Sequence, residues 1–153
     1  MRTIPPFRLP GSDGRTWTQN DLLGRITILY LYPRDMTPGC TAEACDFRDR
    51  HAELVNAGIL LLGVSGDSLD RHAQFIAKER LPFVLLSDPE HQLVQALGAW
   101  KQKNMYGKKT FGIERSTFLI DRQGNVAREW RKVKVEGHVA EVLHAACMLA
   151  RVP

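Results

Sequence analysis

Apolar residues fall along this chain in two kinds of pattern, continuous short runs and spaced repeats. Ile26-Thr27-Ile28-Leu29-Tyr30-Leu31-Tyr32 is β-branched and aromatic, with apolar residues on both faces, and ends at Pro33. Such a run predicts a strand at the centre of a sheet covered on both sides. Ile59 to Ser65 predicts a second buried strand and Phe83 to Leu86 a third. Between them the period changes. Ala44, Phe47, His51 and Leu54 recur at spacings of three and four, which predicts a helix over Cys40 to Val55, closed by Asn56-Ala57-Gly58. Leu69 to Glu79 reads as a helix capped by Asp67 or Ser68. Asp88 to Leu97 reads as another, with Pro89 in its first turn.

The second half follows a different order. Ser116 to Asp121 and Val126 to Trp130 predict an antiparallel hairpin around the turn Arg122-Gln123-Gly124-Asn125. His138 to Ala150 predicts a closing helix with Val139, Val142, Leu143 and Ala146 on one face. Near the start, Gly11-Ser12-Asp13-Gly14 is a turn between two extended pieces, Phe7 to Leu9 and Arg15 to Thr18. Strands alternating with helices imply a mostly parallel sheet with helices on both faces, and the late hairpin adds an antiparallel part. The expected class is α/β. The order suits a thioredoxin-like fold, a central mixed sheet flanked by helices, with an N-terminal β extension and an inserted helix.

The 153 residues are expected to form one domain, residues 1–153. A chain of this size buries about 68–70 % of its unfolded surface and needs no disulfide or metal to fold. With 44 % apolar and 25 % charged residues, it is not a disordered or collagenous sequence. No apolar run approaches the roughly 18 residues of a membrane span. The first residues lack an apolar signal core, so a cytoplasmic protein is expected. Three cysteines argue against a secreted disulfide framework. A pair that does form in a reducing cytosol is catalytic or sensory. The net charge of +4 is mild.

The chemistry concentrates at Pro33-Arg34-Asp35-Met36-Thr37-Pro38-Gly39-Cys40, between the end of a buried strand and the start of a helix. With Thr37 as N-cap, Pro38 takes the first helical position, where its missing N–H costs nothing. Cys40 then lies in the first turn, near free backbone N–H groups and the positive end of the helix dipole, and both favour thiolate over thiol. Thiolate supply gives a factor of roughly ten, against the millionfold or more typical of enzymes, so a further group must orient substrate and stabilise its leaving group. The competing reading is a small buried hydrophobe. Thr37 is a simple cap, or a cap that also donates its hydroxyl to a bound oxygen. Cys45 follows five residues later. That spacing is not the Cys-x-x-Cys of a dithiol oxidoreductase, and no second pair completes a zinc site.

The segment Tyr30 to Asp49, with Pro33, Thr37 and Cys40 in a Pro-x-x-x-Thr-x-x-Cys pattern, resembles the peroxiredoxins, most of all the bacterioferritin comigratory protein or Q-type subfamily. The likeness continues through Gly63 to Ser68, Leu81 to Asp88, Gly112 to Asp121 and Val135 to His138. It implies a thiol peroxidase on a thioredoxin fold with no metal or organic cofactor. It implies that Cys40 is the peroxidatic cysteine and Cys45 the resolving one, joined in an intramolecular disulfide. Thioredoxin or a similar dithiol donor would then reduce that disulfide. Arg115 matches the family's active-site arginine, a fixed cation suited to holding thiolate and peroxide oxygens. Pro33 would shield the sulfur from water. Glu43 matches the subfamily's Thr-x-Glu, with a plain helix-surface carboxylate as the alternative. A monomer is expected.

Helix geometry adds a consequence of that pairing. Five residues on one helix separate two Cα atoms by roughly 8.7 Å. A disulfide tolerates no more than about 7 Å. The helix must therefore unwind for the bond to form.

Cys147 stands outside the likeness, whereas the family also has a Lys- and Tyr-Gly-containing loop at residues 101–109. Cys147, four residues from Leu143, reads as a core position. The basic loop at residues 101–109, extended by Trp100 and Phe111, carries four lysines interleaved with aromatics and no acid. Such a segment can bind single-stranded nucleic acid. A solvated loop beside the site is the preferred reading, with no nucleic-acid partner and no membrane, because +4 is no strong basic footprint.

Overall fold

The computed structural model of the chain describes residues 2–152. Its centre is a five-stranded mixed sheet built from β3 (Thr27–Leu31), β4 (Leu60–Ser65), β5 (Val84–Ser87), β8 (Ser116–Ile120) and β9 (Val126–Trp130). The spatial order is β5-β4-β3-β8-β9. β3 pairs parallel with β4, and β4 with β5, whereas β8 runs antiparallel to both β3 and β9.

All five residues of β3 are buried, as a central strand requires. Alternation sends Ile28, Tyr30 and Tyr32 into one core with Phe47, Leu54, Phe75, Val142 and Leu143. Leu29 and Leu31 enter the other with Leu62, Val64, Leu93, Val94 and Phe118. The first core is covered by α1 (Pro38–Asp49), α2 (His51–Asn56), α3 (Leu69–Glu79) and α5 (His138–Ala150), and the second by α4 (Gln92–Ala96) and the N-terminal strands. Those strands, β1 (Arg8–Pro10) and β2 (Thr16–Thr18), form the expected β extension, and Ser12 N donates to Leu85 O to dock it against β5.

Three sequence expectations need correction. The helix read over Cys40 to Val55 is two helices. Arg50 leaves helical geometry at φ −115°, ψ 9°, its N–H donates to Phe47 O, and its guanidinium pairs with Glu53 of the next turn. The helix read over Asp88 to Leu97 is only α4. The Asp88 carboxylate accepts from the N–H groups of Gln92, Leu93 and Val94, so Asp88 caps this helix from outside it. The stretch read as a basic loop is a hairpin of β6 (Trp100–Met105) and β7 (Lys108–Ile113). Tyr106 and Gly107 both take positive φ, 53° and 78°, which is the two-residue turn that hairpin twist favours.

Candidate active site

Sheet direction assembles the site. Because β8 runs against β3, Leu31 at the end of β3 lies beside Ser116 at the start of β8. Arg115 is thereby delivered to the loop that leaves β3, although 75 residues separate it from Cys40. Parallel β4 ends at the same edge and brings Ser65 and Asp67 there.

Thr37 has the extended backbone of an N-cap, Pro38 opens α1, and Thr41 N donates to Thr37 O. The Thr37 hydroxyl does not cap. It donates to Arg34 O at 2.8 Å, which closes the loop on itself. Cys40 sits in the first turn and is only 2 % exposed. Arg115 Nη2 donates to Cys40 Sγ at 3.4 Å. Gly39 makes room for that approach, since a Cβ there would lie 3.1 Å from Arg115 Nη2. Arg115 Nη1 donates to Glu43 Oε1 at 2.7 Å, so the guanidinium is held between sulfur and carboxylate. The charges of Glu43 and Cys40 outweigh burial and hold Arg115 more firmly protonated than usual.

Glu43 is no surface carboxylate: it is fully buried. Burial pushes it up to about 7, with the Arg115 charge pulling the other way. Its Oε2 has no hydrogen-bond partner among the described residues, and neither has Tyr30 Oη. His138 Nε2 lies 4.0 Å from Glu43 Oε2 and shares a 2.8 Å hydrogen bond with Thr117 Oγ1. Burial lowers His138 to about 4.

A second buried network holds the loop from the opposite side. Tyr32 Oη donates to Asp35 Oδ1, and Asp35 Oδ2 lies 2.6 Å from His72 Nδ1. His72 Nε2 lies 2.9 Å from Leu86 O, a group that only accepts, so Nε2 carries a proton. Asp35 N donates to Asp67 Oδ2, and Arg71 Nη2 donates to Asp35 O. Next to this anchor, Met36 takes a left-handed φ of 63° before α1 begins.

Cys45 lies on the same helix in different surroundings. It is half-buried, and its thiol donates to Glu79 Oε2 at 3.5 Å. Burial raises this thiol above its ordinary value; Glu79 adds to the effect and Arg48 opposes it. All three cysteines are free, and Cys147 is half-buried at the edge of the first core. Among the described residues, no group of three or more His, Cys, Asp or Glu is arranged to hold a metal, and no helix is long and apolar enough to cross a membrane.

A buried cysteine at a helix start, with an arginine on its sulfur, is a site for thiol chemistry, and the sequence relatives agree. Residues 1–129 match the AhpC/TSA family. The chain belongs to this family, among the peroxiredoxins. It is 52 % identical to Peroxiredoxin Bcp of Bacillus subtilis over 139 residues, covering 91 % of this chain and 88 % of that one. The structure of Xanthomonas campestris Peroxiredoxin Q superposes with a TM-score of 0.90 at 45 % identity, covering 95 % of this chain and 92 % of the other. A further structure at TM-score 0.90 and 44 % identity, with the same coverage, is the Xanthomonas campestris bacterioferritin comigratory protein, described for its alkyl peroxide reduction activity. This peroxiredoxin is a thiol-dependent peroxidase, with a peroxide as substrate and a thiol as reductant.

The structure places Cys40, Arg115 and Glu43 in direct contact, with Pro33 and Thr37 in the loop before them. Cys45 does not touch Cys40 in this form. Sequence reasoning missed Asp35, His72, Tyr30, His138 and Glu79. Asp35 and Tyr30 lay inside the motif segment, and a polar residue between a strand and a catalytic helix was a usable signal. His138 closed a segment of the likeness, Val135 to His138, whereas Glu79 carried no signal, because tertiary packing alone brings it near α1.

Proposed function

We propose that this peroxiredoxin reduces hydrogen peroxide and organic hydroperoxides by a two-cysteine cycle run by Cys40 and Cys45. The observation that carries the reading is the Arg115 guanidinium, which donates to Cys40 Sγ and is fixed by Glu43 on its other side. The Cys40 thiolate attacks one peroxide oxygen. The O–O bond breaks, and its electron pair leaves on the second oxygen, which takes a proton and departs as water or alcohol. Cys40 is left as sulfenic acid. Arg115 supplies fixed donors where negative charge passes from sulfur to oxygen. Thr37 turns its hydroxyl from Arg34 to the bound oxygen, and Pro33 keeps water from the sulfur. The alkyl peroxide activity of the Xanthomonas campestris protein supports organic hydroperoxides among the substrates.

Cys45 then attacks the Cys40 sulfenic sulfur, forming the disulfide and releasing water. A protein dithiol such as thioredoxin reduces that disulfide to two thiols and becomes a disulfide itself. Both cysteines lie on α1, so their Cα atoms are roughly 8.7 Å apart while the helix is intact, beyond disulfide reach of about 7 Å. The first turns of α1 therefore unwind in each cycle. Pro38 and Gly39 lend that end little intrinsic helicity. One helix carries the whole redox pair, so residues 1–153 work as a single domain and a monomer. Reliance on a dithiol donor suits the cytoplasm.

Peroxide consumption coupled to thioredoxin and its reductase tests the cycle. Cys40→Ser should abolish turnover. Cys45→Ser should consume one equivalent of peroxide and then stall. Mass mapping of the oxidised wild type should find a Cys40–Cys45 bond, and a Cys40–Cys147 bond would disprove the pairing. Amide exchange from Gly39 to Phe47 should be much faster in the disulfide form than in the dithiol form.

A further inference from the structure

The β6–β7 hairpin has no part in the chemistry of the cycle, yet it holds the whole net charge of the molecule. Lys101, Lys103, Lys108 and Lys109 lie within residues 100–113, which contain no acid. The chain has 21 basic and 17 acidic residues. Without those four lysines the rest is balanced at 17 of each.

The register separates two faces. Trp100, Gln102, Phe111 and Ile113 share one face, and Lys101, Lys103, Thr110 and Gly112 the other. On the first, His91 stacks on Trp100 at 4.0 Å and Trp100 on Phe111 at 6.1 Å, a run of rings that fixes the hairpin to the body. On the second, Lys103 folds across Gly112 and its Nζ donates to Ile113 O at 3.0 Å. Six residues per strand carry the turn about 20 Å from the base. There Tyr106 is 99 % exposed, and Phe111 nearer the base is 59 % exposed. The base is at the catalytic site: Glu114 N donates to Ala99 O, and the next residue is Arg115.

We infer that this hairpin is a docking arm for the protein dithiol that reduces the enzyme, and that the partner presents an acidic face beside its reactive cysteine. The inference rests on the reading that a Cys40–Cys45 disulfide is reduced by a protein. Redox partners meet through small, transient interfaces, below about 1,200 Å². In such contacts, opposite charge sets the encounter rate more than buried area does. A neutral body with a cationic arm rooted beside Arg115 turns an acidic partner toward the site. Exposed Tyr106 and Phe111 then supply apolar contact at the end of the approach.

The test compares wild type with the triple variant Lys101→Glu, Lys108→Glu, Lys109→Glu, leaving Lys103 to hold Ile113. Each oxidised protein is reduced by an acidic thioredoxin and, separately, by dithiothreitol, at low and high salt. The variant's kcat/KM for thioredoxin should fall about tenfold or more at low salt, and its salt dependence should reverse, the rate rising with salt where the wild-type rate falls. Oxidation by peroxide and reduction by dithiothreitol should stay within about twofold of wild type in the same comparison. A neutral variant with glutamine at the three positions should fall between the two, which guards against a folding defect in the charge-reversed protein. Equal thioredoxin kinetics in all three proteins overturns the docking arm. So does unchanged thioredoxin kinetics with lost retention on phosphatidylglycerol vesicles or single-stranded DNA, which moves the arm to a membrane or nucleic-acid surface. A wild-type protein that forms no Cys40–Cys45 disulfide overturns the cycle beneath the inference instead.

Discussion

Cys40 and Cys45 share α1, yet Arg115 donates to the first and Glu79 accepts from the second. Cys40 is buried at a helix start between a cation and free N–H groups; Cys45 is half-buried beside a carboxylate that helps raise its thiol above the ordinary value. The first environment stabilises a sulfur anion and the second opposes one. The difference between two identical side chains therefore comes from what the rest of the fold sets against each turn of the helix.

The contrast breaks most severely at Arg115. Arg115→Ala should slow peroxide attack on Cys40 by about a hundredfold, the usual effect of removing one donor from a developing anion. The variant also leaves the fully buried Glu43 without its partner, so thermal unfolding is recorded alongside to show that the protein is folded at the assay temperature. Stopped-flow oxidation of Cys40 is the measurement, and an unchanged rate returns Arg115 to a surface charge.

The anchor on the Cys40 side gives the next effect. Asp35→Asn leaves His72 without its carboxylate in a fully buried site. Disrupting a buried hydrogen-bond network typically costs about 1–3 kcal/mol, so urea unfolding should move to lower denaturant. A midpoint equal to wild type would show that the anchor holds nothing.

Glu43 and His138 allow a finer test, because they are perturbed in opposite directions. Glu43 rises from 4.5 to about 7 on folding, so its stabilisation is complete below pH 4.5 and is lost as pH rises toward 7. His138 falls from 6.5 to about 4, so its stabilisation is complete above pH 6.5 and is lost as pH falls toward 4. Their slopes oppose each other between pH 4.5 and 6.5. Glu43→Gln should expose the His138 slope alone, with stability rising with pH across that window more steeply than in wild type. Denaturant midpoints at several pH values check this, and parallel profiles would refute it.

The smallest effect sharpens the Cys45 side. Glu79→Gln, made with Cys40→Ser so that one site is followed, keeps an oxygen acceptor and removes the negative charge that helps raise the Cys45 thiol. Iodoacetamide labelling of Cys45 should then shift to lower pH. A shift to higher pH would mean that Glu79 serves Cys45 as a base instead.

Strands and helices whose residues face a common core could be read directly from the chain. Ile26 to Tyr32 had to be a central strand, because no other placement buries both its faces. Thr37, Pro38 and Gly39 had to begin a helix, because local backbone chemistry fixes that start. The failures lie where long-range contacts override the pattern. Arg50 breaks a helix whose apolar spacing continues through it. Asp88 caps α4 from four residues away, which a reading of contiguous helical residues does not see. Residues 100–113 form a hairpin with too few buried side chains for an alternating pattern to show.

The same division holds for the site. The sequence by itself placed Cys40 in the first turn of a helix, since cap residue, proline and cysteine are neighbours in the chain and act through local backbone groups. It also set Cys40 and Cys45 five residues apart on one helix, beyond disulfide reach while that helix is intact, since helical rise and rotation follow from spacing alone. Only the tertiary structure decided that Arg115 touches the sulfur, that Glu43 is buried against it, and that Glu79 accepts from Cys45. Those contacts join residues 34 to 75 positions apart. They exist because β8 runs antiparallel to β3 and because Glu79, at the end of α3, lies beside α1, and no local rule encodes the direction of a strand that has yet to choose its neighbour.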